Sequence, residues 1–419
     1  MRISRIQKTI ALSALFLNVY SNSWADDYHH KNVLIGERAA GLAGAFTAMS
    51  DDPSGIYYNP AGLAFVFENY VSLSANAWAS TKYVFKDVVE GQDYTLNSAA
   101  LVPAYFGFTQ SVGRTKWAFA IVVPNSDLID QNDTLNNFVS STGQNYITRR
   151  YYKIDNTYFA GPAVGIELAD NMSAGVSLMG NFRLFKSIDN QIGAFQDGSY
   201  FTQNSYLEVF SKQFSPKLGV QWMPAPKLSL GASVGMDFSL GATATVRRVG
   251  TTQVPNTNPV DYVTQTGVFS NDISDTGEQL ISYSPINFMR SSFGVAWFAS
   301  KSFLLSADVD IIYPLNSSSH KLTFNESVGV EWYVNDGMPV RLGLMTNNSS
   351  ASDSGIVGEA TSVNFYSVTS GVSWVGGGSS FSLGFAYGLG SGEGRVTGSG
   401  VQKVEGTQYS IFLQGSYQL

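Results

Sequence analysis

Apolar and polar residues alternate along most of this chain. From Leu228 to Val246 (LSLGASVGMDFSLGATATV) every even position is apolar and every odd one is Ser, Gly, Asp or Thr. A period of two is the mark of a β-strand with unlike faces. The repeat lasts 19 residues, whereas an ordinary strand has about 5–6. A wall between lipid and water calls for strands of that length.

The pattern recurs. Asn171 to Lys186 places Met172, Ala174, Val176, Leu178, Phe182 and Leu184 on one face. Phe303 to Tyr313, Phe381 to Leu389 and Tyr409 to Leu419 repeat it. Collected together, such segments predict about fourteen strands between residues 69 and 419. Alternate connections are tight (SVGRT, ADN, MPAPK, ASK, NDG, GGGS), and those between are mostly long and polar, such as 125–149, 187–204, 247–278 and 391–405. Short turns at one end and long loops at the other, with an even strand number, predict an all-β fold: a transmembrane antiparallel β-barrel. Closure follows from the bilayer, because an open sheet edge in lipid leaves backbone groups unpaired. Even positions of Leu228–Val246 then face hydrocarbon and odd ones a polar lumen. The face shared by Tyr409, Ile411, Leu413, Tyr417 and Leu419 at the C-terminus suits recognition by barrel-insertion machinery.

Composition agrees. Charged residues make up 14% of the chain and aromatics 13%, while mean hydropathy is −0.01, so apolar residues are interleaved rather than gathered into spans. The one long apolar run, Ile10 to Val19, follows Arg2, Arg5 and Lys8 and precedes Ser23-Trp24-Ala25. This predicts a signal peptide over residues 1–25. Its removal leaves a chain more acidic than the −7 of the whole, which argues against nucleic acid as a partner. There is no cysteine, hence no disulfide framework and no thiolate metal site.

Residues 26–68 do not alternate. Gly36 to Ser50 (GERAAGLAGAFTAMS) reads as small-residue helix, then Asp51-Asp52-Pro53-Ser54-Gly55 breaks it. The segment is too apolar for a linker, and a fourteen-strand lumen is wide enough to take it as a plug ahead of a barrel over 69–419. The stretch GERAAGLAGAFTAMSDDPSGIYYNPAGLAF, centred on Asp51-Asp52 and Asn59-Pro60-Ala61, resembles the hatch motif of the FadL/OmpP1/TodX family of outer-membrane channels for hydrophobic compounds. The resemblance implies a hatch-plugged barrel in the bacterial outer membrane, both termini periplasmic. It implies passive uptake of long-chain fatty acids or aromatic hydrocarbons, Asn59, Pro60 and Ala61 forming the gate, and lateral exit beside a kinked third strand. Family members commonly begin with apolar residues that contribute to an inner pocket. Here the mature chain begins Asp26-Asp27-Tyr28-His29-His30-Lys31, so a pocket built from the N-terminus is not expected. A related motif occurs in PorV-like barrels that serve secretion, and a polar-solute porin is the other alternative.

Trp117 to Pro124 (WAFAIVVP) departs from the alternation, with Ala118, Ala120 and Val122 apolar where the lumen face belongs. These residues and Pro124, which interrupts ladder pairing, are the candidate lateral passage. Parity points Arg183, Lys217, Arg290 and Arg341 inward with Asp308, Asp310 and Glu331, and places Arg290 on a strand next to Asp308 and Asp310. Such charges pair across a lumen; alternatively Arg183 or Arg290 binds a ligand carboxylate, where a guanidinium fork fits best. Arg149-Arg150 and Arg247-Arg248 are expected to meet lipopolysaccharide phosphates or solvent. Ile192, Phe195, Tyr200, Phe201, Leu135 and Phe138, in the long connections, suggest a capture surface for hydrophobic small molecules. No catalytic constellation is expected: Ser317-Ser318-Ser319-His320 are neighbours in one segment and poorly placed for a triad. His29-His30 lack further ligands at metal spacing, so neither metal nor cofactor is expected.

Overall fold

The structure, a computed structural model, describes residues 28–66, 69–89, 91–136, 144–255, 262–268, 279–281, 284–352, 361–396 and 400–419. The predicted signal peptide, Asp26, Asp27 and Phe138 lie outside them.

Strands follow one another as antiparallel neighbours. They begin with β1 (Tyr70–Val89), β2 (Gln92–Val112), β3 (Thr115–Asn136), β4 (Gln144–Ala169), β5 (Met172–Phe195) and β6 (Tyr200–Ala225). Next are β7 (Leu228–Met236), β8 (Phe238–Pro255), β9 (Tyr262–Val268), β10 (Gln279–Ile281) and β11 (Phe288–Ser300). The last are β12 (Phe303–Pro314), β13 (Thr323–Asn335), β14 (Met338–Asn347), β15 (Thr361–Gly376), β16 (Ser379–Gly394) and β17 (Gln402–Gln418). β1 pairs with β2 on one edge and with β17 on the other, which closes the ring. β7 with β8 makes one stave, since both pair with β6. β11 with β10 makes the next, since they pair with β7 and β8 respectively, and β9 is a hairpin arm on β8. The result is the closed fourteen-strand antiparallel barrel.

Outward positions carry the apolar side chains, with Leu218, Leu240, Phe293, Leu344, Trp374 and Leu413 among those exposed to the bilayer. The tight turns use glycine where the backbone turns left-handed: Gly377 and Gly378 have φ of +59° and +75°.

Two expectations need correction. Alternation from Leu228 holds only to Leu240. Opposite Lys212 and Gln213 the ladder slips, so that Lys212 faces Gly241 while Gln213 faces Ser239. Leu240 is the extra residue, and beyond this bulge Ala244 points inward, packed on Phe185, Leu207 and Val209. Secondly, most of 125–149 and 187–204 is strand, not loop. β4, β5 and β6 have 26, 24 and 26 residues, against 13, 12, 13 and 10 in β11 to β14. Crossing a bilayer takes about 9–11, so one side of the barrel rises as a tall wall above a low opposite rim. Of the expected capture residues, Phe201 is buried and Ile192 faces outward at 45% exposure.

The N-terminal segment lies inside the ring. Short helical turns Glu37–Gly41 and Gly55–Tyr58 lead into a 3-10 turn, Pro60–Phe65. Val33, Ile35, Ile56, Leu63 and Val66 pack against inward residues of β2 to β5, including Tyr105, Ala118, Ala120, Val122 and Met179. Towards the end of the lumen where β1 turns into β2, Phe85, Tyr94, Leu96, Ile129, Val363, Phe365 and Val404 form a second apolar cluster.

Candidate functional site

The floor of the site is the plug, seated where the wall has no side chains. Gly175 faces Gly165 on one side and Gly219 on the other. A Cβ at Gly175 would collide with the Pro60 carbonyl, and one at Gly219 with Asn59 Oδ1. Asn59 has no exposure. Its Nδ2 donates to the carbonyls of Thr47 (2.8 Å) and Val220 (3.1 Å), and its Oδ1 accepts from Ala61 N–H (3.1 Å) as the cap of the 3-10 turn. Ser173 Oγ donates to the Ala61 carbonyl at 2.9 Å. Asp308 Oδ2 accepts from the N–H groups of Phe46 and Thr47, both at 2.8 Å. Arg38 holds Glu331 through two bonds of 2.9 and 2.8 Å, and Arg341 Nε reaches the same carboxylate at 2.7 Å. Burial opposes the Arg38 charge, yet Asp51 and Glu331 hold its pKa well above the ordinary value. Asp52, whose Oδ1 accepts from Ser54 N–H, is pushed up to about 6, chiefly by burial.

Above this floor, residues Tyr28 to Ile35 cross the lumen as a strap. His29 Nε2 lies 2.5 Å from the Val363 carbonyl, and Ser350 N–H donates to the Tyr28 carbonyl at 2.8 Å. Lys31 pairs with Asp310 at 2.5 Å. Asn32 Nδ2 donates to Asn125 Oδ1 at 2.8 Å, and Val33 N–H to the Pro124 carbonyl at 3.1 Å. The strap therefore ends on the third strand at its irregular point. It also separates two spaces. The larger, about 1620 Å³ counted to its open mouth, is lined by Phe159, Ser177, Met179, Arg183, Lys217, Met236 and Arg290 among others. The smaller, about 880 Å³ counted likewise, lies towards β1, β2, β3 and β17. Lys31, Val33, Leu34 and Asn125 line both. The expectation that the N-terminal residues stay out of the pocket is thus corrected, since His29, His30 and Lys31 form part of its wall. Polarity at those positions does not keep a strap out of a lumen that is itself polar.

The irregularity of β3 is specific. Opposite β4, Val122 faces Phe159 and Asn125 faces Thr157, so Val123 and Pro124 share one partner position. Opposite β2 the ladder runs from Thr115 to Val122 and, among the described residues, no further. Above, the strands are joined by the Gln131 amide, which donates to the Thr95 carbonyl (2.6 Å) and accepts from Asn97 N–H (3.0 Å). Between these two closures lies a stretch without ladder bonds. Ser98 and Ala100 of β2 and Asn125, Ser126 and Asp127 of β3 line the smaller space directly behind it.

Several sequence-derived positions are relocated. Ala118, Ala120 and Val122 are packed under the plug, so their apolar character is already accounted for by that contact; Val122 alone borders the unladdered stretch. Arg183 and Arg290 both line the larger cavity, but Arg183 is held by Asp155 at 2.8 and 3.0 Å and Arg290 by Asp237 at 2.5 Å. The expected neighbourhood of Arg290 with Asp308 and Asp310 is not a pairing: in register Arg290 faces Ile312, and those aspartates serve the plug and strap. Arg149 is not outside. It is buried against Asp189 at 2.7 Å, with the Tyr151 ring centre 4.3 Å away. Arg150 does face outward, paired with Asp130 at 2.6 Å, and Arg247 is exposed; the Arg248 side chain is outside the described set. Lys217, read from parity only as inward, stands apart: its ammonium contacts the Tyr57 carbonyl and the face of the Tyr57 ring, and among the described residues it has no ion-pair carboxylate.

The fold has solved counterparts. The chain is similar in structure to a Pseudomonas aeruginosa FadL homologue (TM-score 0.56, 12% identity, covering 92% of this chain and 99% of that one). It is similar also to the P. putida toluene transporter TodX (0.63, 10%, 91% and 97%) and to the CymD monoaromatic hydrocarbon channel (0.51, 13%, 93% and 98%). No model of a known protein family and no curated relative matches the sequence. At these identities the likeness establishes the fold.

Proposed function

We propose that this chain, which has the fold of the FadL and TodX channels, carries hydrophobic or amphiphilic small molecules passively across the bacterial outer membrane. The compounds enter from the tall outer wall, rest in the larger cavity, pass the strap and leave sideways between β2 and β3. Both termini face the periplasm in this reading. The observation that carries it is the ladder between β2 and β3, which stops at Val122 with a lined space behind it. In a bilayer an unpaired strand edge is costly, so a wall that leaves one there is better explained by a passage than by packing. The Asn59-Pro60-Ala61 turn is the fixed side of the gate, and the strap, hung from Pro124 and Asn125, is the side that moves. The plug packed on β2 to β5 and the second aromatic cluster argue against an open pore for polar solutes.

The test is uptake of labelled oleate and toluene by Gram-negative cells lacking their own importer. Deleting Val123 removes the extra residue of the bulge and lets β2 and β3 pair further. Uptake is expected to fall to background while the heat-modifiable mobility of the folded barrel and its surface level stay unchanged. Undiminished uptake by that folded deletion would rule out the lateral route.

A further inference from the structure

We propose that Lys186, Lys212 and Arg247 form a docking face, on the outside of the tall wall, for the phosphate groups of an outer-leaflet glycolipid. The inference needs only the outer-membrane placement of the barrel and is independent of what passes through the lumen. The three residues stand on β5, β6 and β8, which are neighbouring staves. Register turns all of them outward. Lys212 faces Phe182 on one edge and Gly241 on the other, Lys186 faces Ile154 and Glu208, and Arg247 faces Tyr206.

Their height follows from the strands. A crossing of about 9–11 residues counted from Met172, the first residue of β5 after its tight turn, ends near Phe182. Counted up β6 from Trp222, it ends near Lys212. Phe182, Phe210 and Phe214 are all exposed and form an aromatic belt at that level, as suits the edge of the hydrocarbon. Lys212 lies within the belt, and Lys186 and Arg247 lie just above it. Head-group phosphates begin at this level.

Charge points the same way. Outward cations elsewhere on the wall are matched, Lys86 by Asp93 and Glu405 at 3.1 Å each and Arg150 by Asp130 at 2.6 Å. Among the described residues Lys186, Lys212 and Arg247 have no ion-pair carboxylate. The Lys186 and Lys212 ammonium groups rest instead over the rings of Tyr206 and Phe210, 5.2 and 5.3 Å from the ring centres. The one acid beside them is Glu208, opposite Lys186, and its carboxylate accepts from the Tyr206 hydroxyl. The face therefore stays positive at the margin of a low-dielectric phase, where attraction to anions is strong. Lysines in such a place lay their stems along apolar neighbours and lift the ammonium to the head groups, while an arginine fork suits a phosphate.

Shape favours a lipid over a free anion. Gly241, opposite Lys212, leaves the surface open, with nothing within 4 Å of where a Cβ would stand. Lys186 is four residues beyond Phe182, the register partner of Lys212, so the two positions are about 13 Å apart along the strands. A glycolipid phosphorylated at both ends of a disaccharide meets both, and its acyl chains lie against exposed Leu178, Phe214 and Leu240 below. Free phosphate has nothing to offer that apolar surface.

The experiment titrates the purified full-length barrel in detergent with bisphosphorylated lipid A, with the same glycolipid stripped of both phosphates, and with inorganic pyrophosphate, counting adducts by native mass spectrometry. The wild type is expected to hold the phosphorylated glycolipid about tenfold or more tightly than the stripped one, and to lose part of that preference as salt is raised. Lys186→Gln, Lys212→Gln and Arg247→Gln should each weaken it about two- to fivefold, and together should bring it to the level of the stripped lipid. Lys301→Gln, in the tight turn at the opposite end, should change nothing, and heat-modifiable mobility reports that each variant is folded. Equal binding of the two glycolipids, a preference that survives the combined substitution, or pyrophosphate binding as tight as the lipid's overturns the docking face. Uptake through the lumen is tested separately by the Val123 deletion.

Discussion

The N-terminal segment has two parts that meet the barrel in opposite ways. Residues 36–66 sit backbone-to-backbone on glycines of the wall and are pinned by Glu331, Asp308 and Ser173. Residues 28–35 touch the wall through side-chain amides, one ion pair, the His29 ring, single backbone bonds to Pro124 and Ser350, and the apolar side chains of Val33, Leu34 and Ile35. The first kind of contact is broken only by moving the whole plug, because glycine seats leave no slack. The second breaks one bond at a time. Rigidity and release thus divide at Ile35–Gly36 within one short segment, and only the releasable part lies between the two cavities.

The largest effect should come from breaking the rigid part. Glu331→Ala leaves Arg38 and Arg341 without the carboxylate they share, and loss of one partner of a buried charge network costs about 3–5 kcal/mol. Urea unfolding of the reconstituted barrel, with exchange of plug amides as a local readout, should show that loss. A shift below about 1 kcal/mol would mean that Asp51, paired with Arg38, and Ser373, which accepts from Arg341, suffice. Breaking the releasable part should be milder. Asn32→Ala removes bonds to Asn125 and Asn347, together worth about 1–3 kcal/mol at the usual value per bond. Its expected signature is faster uptake with a urea midpoint lowered less than in Glu331→Ala; an equal fall would instead make the strap part of the structural plug.

The smallest effect concerns pH. The folded pKa of Asp52 is raised from 3.8 to about 6, so between those values the folded plug binds more protons than the unfolded chain. Stability from this group is therefore greatest below about pH 4, declines as pH rises to about 6, and is flat above. Partial exposure of Asp52 tempers the size. Asp52→Asn keeps the acceptor for Ser54 and should remove that slope, as followed by plug exchange rates at pH 4, 5, 6 and 7.

What the sequence made legible follows the same physical line. Strands were readable wherever one face met lipid and the other the lumen, which covers most of β5, β7, β12 and β16. Above the membrane both faces are wet, alternation fades, and the upper halves of β3 to β6 therefore read as loops. The bulges at Leu240 and at Val123–Pro124 are single-residue offsets. Proline marked one of them, while nothing in LSLGAT distinguishes a regular lipid-facing Leu240 from a bulged one. Inward charges were found by parity, but their partners were not. Arg290 reaches Asp237 because the stave breaks there, and Lys217 differs from it in having no ion-pair carboxylate among the described residues, which no linear pattern records.

The ring closes where Tyr70 meets Gln418, the first strand against the last. That seam cannot form until β17 has been made, and such long-range contacts are slow to find. The plug precedes β1 and fits the wall with only a glycine's clearance, so it has to be cradled while the sheet is still open. The closing seam then locks it in, as a cork around which the bottle is blown. Pulse-labelled refolding should accordingly show plug amides protected no later than those of β1 and β17. Protection that lagged behind closure would mean that the plug threads in through a finished barrel.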